Sequence, residues 1–254
     1  MKPGSKNMTL RKSADRGHVN HGWLDSYHSF SFTGYYDPAY MGYSVLRVIN
    51  EDVIEAGQGF GMHPHKNMEI ITYMLHGALR HEDSLGNTSV IKAGDVQHMT
   101  AGTGVVHSEF NASDTDSVHL LQIWIFPEQK LLEPSYEEKN FTDSQKQNRW
   151  CLIASQDGAN GSLKVCQDIR LYATILSANM SLDYAFNSDR SVYIQVASGA
   201  VEINGQGLVA GDAAMLDGSA QEGSTTLVIN ANEQAELLLF DLPKHATSDA
   251  MYSQ

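Results

Sequence analysis

The chain has 254 residues, 42% of them apolar, enough for two ordinary domains or one large β domain with a real core. Its 17 basic residues against 30 acidic ones give a net charge of −13, which repels a phosphate backbone and argues against direct nucleic-acid binding. No window approaches the roughly 18 apolar residues of a membrane helix and no apolar leader core is seen, so a cytoplasmic chain without membrane attachment is expected.

Many short β-branched and aromatic runs among 21 glycines favour strands over long helices. Residues 8 to 12 form a candidate edge strand after seven residues expected to be mobile. Residues 16 to 43 are dense in aromatics and histidine and read as a strand between long loops, with turn signals at Asn20-His21-Gly22 and Asp37-Pro38. His18, His21 and His28 lack the spacing of ligand pairs, so hydrogen bonding in loops or core is expected of them. Residues 43 to 54 alternate as a strand. Gly57, Gly59 and Gly61 follow, but no helical pattern comes next, which sets a dinucleotide loop aside.

His63-Pro64-His65 comes next, then strands at 68 to 75 and 78 to 81, a hairpin loop at 83 to 87, and strands at 88 to 92 and 96 to 100. The break at Ala101-Gly102-Thr103-Gly104 lacks the Lys-Ser or Lys-Thr of a phosphate cradle and instead re-aims the strand that carries His107-Ser108-Glu109. Side chains two apart on a strand share a face, so each triplet offers two ligands in one direction. Three imidazoles and a carboxylate suit Fe, Mn, Co, Ni, Cu or Zn. Glu69 competes with Glu109 for the carboxylate place, and Glu109 is preferred. Residues 118 to 126 form an apolar strand with Gln122 and Trp124 on one face and His119, Leu121 and Ile123 on the other. Residues 127 to 148 read as an interdomain connection.

The second half echoes the first. Leu75-His76-Gly77-Ala78-Leu79 is matched by Ala197-Ser198-Gly199-Ala200-Val201, and Ala93-Gly94-Asp95-Val96 by Ala210-Gly211-Asp212-Ala213, which indicates an internal duplication. Counted back from the turn glycine, the places of His63 and His65 fall on Ala185 and Asn187, and His245 near the end is the sole histidine after His119. Any metal chemistry is therefore assigned to the first half. Cys151 and Cys166 read as two thiols without disulfide or metal spacing.

Residues 57 to 77 resemble the first cupin motif and residues 94 to 107 the second. In common cupins the acidic ligand stands one position after Glu69, where this chain has Ile70, and a one-residue step on a strand changes the face. H-x-E in the second motif is instead the mark of pirins. Arg16-Gly17-His18, His21-Gly22-Trp23-Leu24, His63-Pro64-His65, His81-Glu82-Asp83, Thr100-Ala101-Gly102 and His107-Ser108-Glu109 all resemble that family, strongly over residues 10 to 136 and in layout beyond. The resemblance implies an all-β bicupin, two jelly-roll β-barrels, with a metal-binding domain at 1–135 and a degenerate cupin without ligands at 136–254. It implies one divalent transition metal, Fe(II) before Zn, Mn, Ni, Co or Cu, on His63, His65, His107 and Glu109. It also implies two functions of different class. One is a quercetin 2,3-dioxygenase acting on a small phenolic substrate and O2, with Glu109 as catalytic base and Phe60, Met62 and Trp124 lining the pocket. The other is a non-enzymatic, metal-dependent regulator with a protein partner.

Overall fold

The computed structural model describes residues 8–219 and 223–244, so the start expected to be mobile and His245 lie outside the described residues. The chain forms two β-barrels of the same plan, each a seven-stranded sheet and a four-stranded sheet. In the first barrel the large sheet runs in the order Ser135–Asn140, Asp95–Thr100, Glu69–His76, Val118–Ile125, Leu46–Ile54, Leu24–His28 and Gly17–Asn20. Its small sheet runs Gly59–His65, Val105–Asn111, Ala78–Asp83 and Thr88–Lys92. The second barrel repeats this with Ser181–Asn187, Ser224–Ala231, Ala200–Ile203 and Gln206–Val209 as the small sheet. Among the described residues no helix is long and apolar enough to cross a membrane.

The two turn glycines that signalled the duplication occupy equal places. Gly77 and Gly199 have φ of +79° and +76°, and a Cβ at Gly199 would lie 2.1 Å from the Gln234 carbonyl oxygen, so a side chain is excluded by both conformation and space.

Period-two alternation divides the large strands cleanly. On Val118–Ile125, Leu121, Ile123 and Ile125 join a core cluster with Tyr193, Leu238 and Phe240 of the second half. The two large sheets therefore pack face to face between the barrels. Val118 and Leu120 face the first barrel's interior, and Trp124 packs against a second interior cluster of Ile70, Met99 and Val105. Between those two apolar clusters lies a buried polar layer, in which Gln122 pairs across the sheet with Thr72 and Asn50, and Thr72 with Gln97.

Strand pairing crosses the division drawn at residue 135. Met8–Arg11 pairs with Ala213–Asp217 of the second large sheet, while Ser135–Asn140, expected to be connection, pairs with Asp95–Thr100 as the outer strand of the first. After it, Lys146 on the short helix Asp143–Lys146 is buried and bonds Glu236 at 3.0 Å and the Tyr73 hydroxyl at 3.2 Å, fastening the link to both halves.

Candidate metal centre

The strands Gly59–His65 and Val105–Asn111 run antiparallel with His107 opposite His63 and Val105 opposite His65. Close approach here requires Gly59, where a Cβ would sit 2.2 Å from the Glu109 carbonyl oxygen. The register slips between His107 and Glu109, so that Glu109 lies opposite Phe60 although two steps from His63 along the partner strand would reach Gly61. This bulge on the histidine strand turns Phe60, His63 and His65 together toward the interior.

His63, His65 and His107 bring ligand nitrogens within 4.8 Å of one another. The Nε2 atoms of His63 and His107 approach to 3.0 Å, and the ring centroids of the three lie 4.5 to 4.8 Å apart. His63 Nδ1 is 2.8 Å from the Gly61 carbonyl oxygen, which can only accept, so the proton is on Nδ1 and the Nε2 lone pair faces the other rings. Burial, then the neighbouring His63, lowers the pKa of His65 to about 4; burial, then His65, His63 and His81, lowers that of His107 to about 2. Both rings are neutral at neutral pH, the state a metal requires. The donor set fits a divalent transition metal.

Glu109 stands in a second, overlapping group with His81 and His107. Its carboxylate is buried and accepts from Gln122 Nε2 at 2.9 Å and Thr72 Oγ1 at 3.3 Å. Burial first, and Asp52 beside it, raise its pKa to about 7 against those hydrogen bonds. A carboxyl at that value exchanges a proton readily at neutral pH. Glu69 takes no part, since it faces the interdomain side with Ile71 and Tyr73, where it accepts from His98 at 2.8 Å, Thr100 at 3.0 Å and the Cys166 amide at 3.1 Å.

Trp124 forms one wall, edge-on to His65 at 5.0 Å and to Phe32 at 5.3 Å, with its indole Nε1 buried and unpartnered. Phe60 lies between Trp23 at 5.4 Å and His63 at 6.4 Å. Met62 is corrected: as the neighbour of His63 on an alternating strand it faces outward and is 61% exposed, so it does not line the interior. Of the earlier histidines, His28 is buried against Ser26 at 2.9 Å and the exposed His18 pairs with Asp25 at 2.6 Å.

Sequence reasoning gave His81 no role beyond its place in the family motif His81-Glu82-Asp83. It is fully buried, hydrogen-bonded to Asp83 at 3.0 Å and stacked 4.7 Å from Tyr136, a residue of the segment taken for a connection. The signal was the H-x-D spacing of a second strand next to His107, visible only once the cross-strand register placed Asp83 opposite His107 and His81 opposite Glu109. The second barrel also needs a correction. On Ser181–Asn187 the inward residues are Leu182, Tyr184 and Phe186, while Ala185 and Asn187 are exposed, because Tyr184, the residue that the register matches to His63, stands one position further from its turn glycine than His63 does.

A family model described as Pirin matches residues 9–125, and one described as Quercetinase C-terminal cupin domain matches residues 152–242. A protein of Escherichia coli K12 named Quercetin 2,3-dioxygenase is 50% identical over 234 residues, 92% of this chain and 98% of that protein. A Pirin-like protein of Caulobacter vibrioides is 41% identical over 237 residues, 92% of this chain and 99% of that protein. Among solved structures, bacterial pirin YhhW from Escherichia coli in complex with nickel(II) superposes with a TM-score of 0.87 at 48% identity, covering 93% of this chain and 99% of that one.

Proposed function

The chain belongs to the pirin family, and on that premise we propose that it is a metal-dependent oxidoreductase of the quercetin 2,3-dioxygenase type, opening the ring of a flavonol-like phenol with O2 and releasing carbon monoxide. The observation that carries the reading is the convergence of three imidazoles within 4.8 Å, with His65 and His107 held neutral by burial, and a buried carboxyl next to His107 whose pKa lies near 7. The relatives named quercetin 2,3-dioxygenase and the nickel(II)-bound pirin support it. Fe(II) and Ni(II) are both compatible with the donors, and elemental analysis of protein purified from its own source decides between them. A cytoplasmic location belongs to the same proposal.

His63, His65 and His107 would hold the metal, with Glu109 next to it as ligand, base or both. A bound divalent metal would supply Lewis acidity that lowers the pKa of the substrate's phenol. Glu109 accepts the phenol proton at a carboxylate oxygen, and Gln122 and Thr72 fix the orientation of that carboxylate. Trp124 and Phe60 offer flat apolar walls to an aromatic substrate, and the Trp124 indole N–H is free to donate to one of its oxygens. Ile70, Met99 and Val105 close the barrel behind them and keep bulk water out.

Anaerobic metal loading followed by O2-dependent loss of quercetin absorbance tests the reading. The expected result is turnover by the wild type and none by His107→Ala; equal rates in the two would overturn it. Metal-dependent capture of a protein partner without any turnover would favour the regulatory alternative instead.

A further inference from the structure

We infer that His81 and Asp83 form a positioning pair for His107, with Asp83 fixing the tautomer of His81 and His81 fixing that of His107. Asp83 is locked in place: its Oδ1 accepts the amides of Leu85 at 2.9 Å and Asn87 at 3.0 Å, and its Oδ2 accepts the Asn87 side chain at 2.9 Å. A carboxylate can only accept, so the Nε2 of His81, 3.0 Å from Asp83 Oδ2, carries the proton. The lone pair of His81 is then on Nδ1, which is buried and without a partner. The Nδ1 of His107 is buried and without a partner too, and the rings lie 5.3 Å apart.

The two orphaned nitrogens answer one another. A ligand nitrogen must be bare, so His107, whose Nε2 faces His63, has to carry its proton on Nδ1 when it ligates. That N–H needs a buried acceptor, and His81 Nδ1 is one, reached by a small ring rotation or through a single water. The chain Asp83 to His81 to His107 thus disfavours the other tautomer, in which His107 donates from Nε2 to His63 and its lone pair lies on Nδ1, turned away from the metal position. Tyr136 holds the His81 ring from its other face, 4.7 Å away and nearly parallel.

This inference rests on the metal reading of the three imidazoles, and Zn(II) serves as a diamagnetic probe of both. In the zinc-loaded wild type, nitrogen NMR of the imidazoles is expected to show a protected proton on His107 Nδ1 and a proton on His81 Nε2. Asp83→Asn keeps the Oδ1 acceptor of the loop but lets the amide donate to His81, reversing its tautomer. His81→Phe keeps the stack on Tyr136 and removes the acceptor. Both variants are expected to bind Zn(II) about 10- to 100-fold more weakly in chelator competition while their metal-free unfolding midpoints stay near that of the wild type. Zinc affinities within twofold of the wild type, a bare His107 Nδ1, or His81 bound directly to zinc would overturn the inference. The wild-type spectrum decides the matter even where a variant fails to fold. A wild type that takes no zinc overturns the metal reading itself.

Discussion

Replacing Gln122 by leucine tests whether the polar layer sets the proton affinity of Glu109. Leucine fits the space, because Leu239 holds the corresponding place in the second barrel, opposite Ile194 as Gln122 is opposite Thr72. The change removes the 2.9 Å hydrogen bond from Nε2 to a buried carboxylate. A hydrogen bond to a charged group contributes about 1.5–3 kcal/mol, and it is lost here mainly from the ionised form. At 1.36 kcal/mol per unit, the pKa of Glu109 rises by about one to two units. From its starting value of about 7, the ionised fraction at pH 7.5 then falls from about three quarters to about a fifth or less. Carboxyl carbon NMR of metal-free protein reads the midpoint directly, and the ascending limb of the pH profile for quercetin loss should move to alkaline pH in the loaded enzyme. A midpoint that stays put or moves to acid would refute the reasoning.

Burial raises the pKa of Asp52 to about 6 from 3.8, so the folded form holds a proton that the unfolded form has already released and stability falls as pH rises from about 4 to 6. Asp52→Asn is therefore expected to match the wild type near pH 4 and to exceed it by up to about 3 kcal/mol above pH 6; a pH-independent difference in thermal midpoints would contradict this. Excess metal at about 100 times its Kd should stabilise the wild type by about 2.7 kcal/mol and leave His107→Ala unchanged in thermal denaturation, and an equal gain in both would count against His107 as a ligand. Glu69→Ala leaves His98, Thr100 and the Cys166 amide without their shared acceptor. It should cost at least about 2 kcal/mol by urea denaturation without altering metal affinity, and a lost metal with intact stability would return Glu69 to the ligand set.

What could be read from the sequence followed from alternation within single strands. His63, His65 and His107 converge while Glu109 groups with His107 and His81, Leu121 and Ile123 face away from Gln122 and Trp124, and Glu69 falls on the far face because one step from Ile70 reverses direction. The features missed all depend on pairing between strands. Asp83 became a neighbour of His107 through the register of the small sheet, and Tyr136 reached His81 because its segment joins the large sheet. The slip opposite His107 and Glu109 put Met62 on the other face from Phe60, and one extra residue before Gly199 made Tyr184, not Ala185, the counterpart of His63. A bulge leaves no hydrophobic signature, since it moves faces without moving the pattern on either side of it.

The two barrels show how one frame is made reactive or inert. In each, the third layer of the large sheet is set by matched pairing: Gln97, Thr72, Gln122 and Asn50 in the first, Ala214, Ile194, Leu239 and Tyr172 in the second. With apolar groups in most of these places the second interior is a continuous cluster from Val192 to Leu239. The first is cut into two apolar clusters with Glu109 between them. One layer further along, Trp124 is replaced by Asp241, whose carboxylate is taken by Arg190 at 2.6 Å and by Tyr184 at 2.5 Å. The Asp241 carboxylate is thus engaged by a cationic partner, whereas the Glu109 carboxyl, buried and held by two neutral donors, keeps its proton equilibrium near neutrality. The polar layer, more than the histidines alone, is therefore what separates the chemistry of the first barrel from the packing of the second, and it is why Gln122→Leu is expected to change a pH profile before it changes a fold.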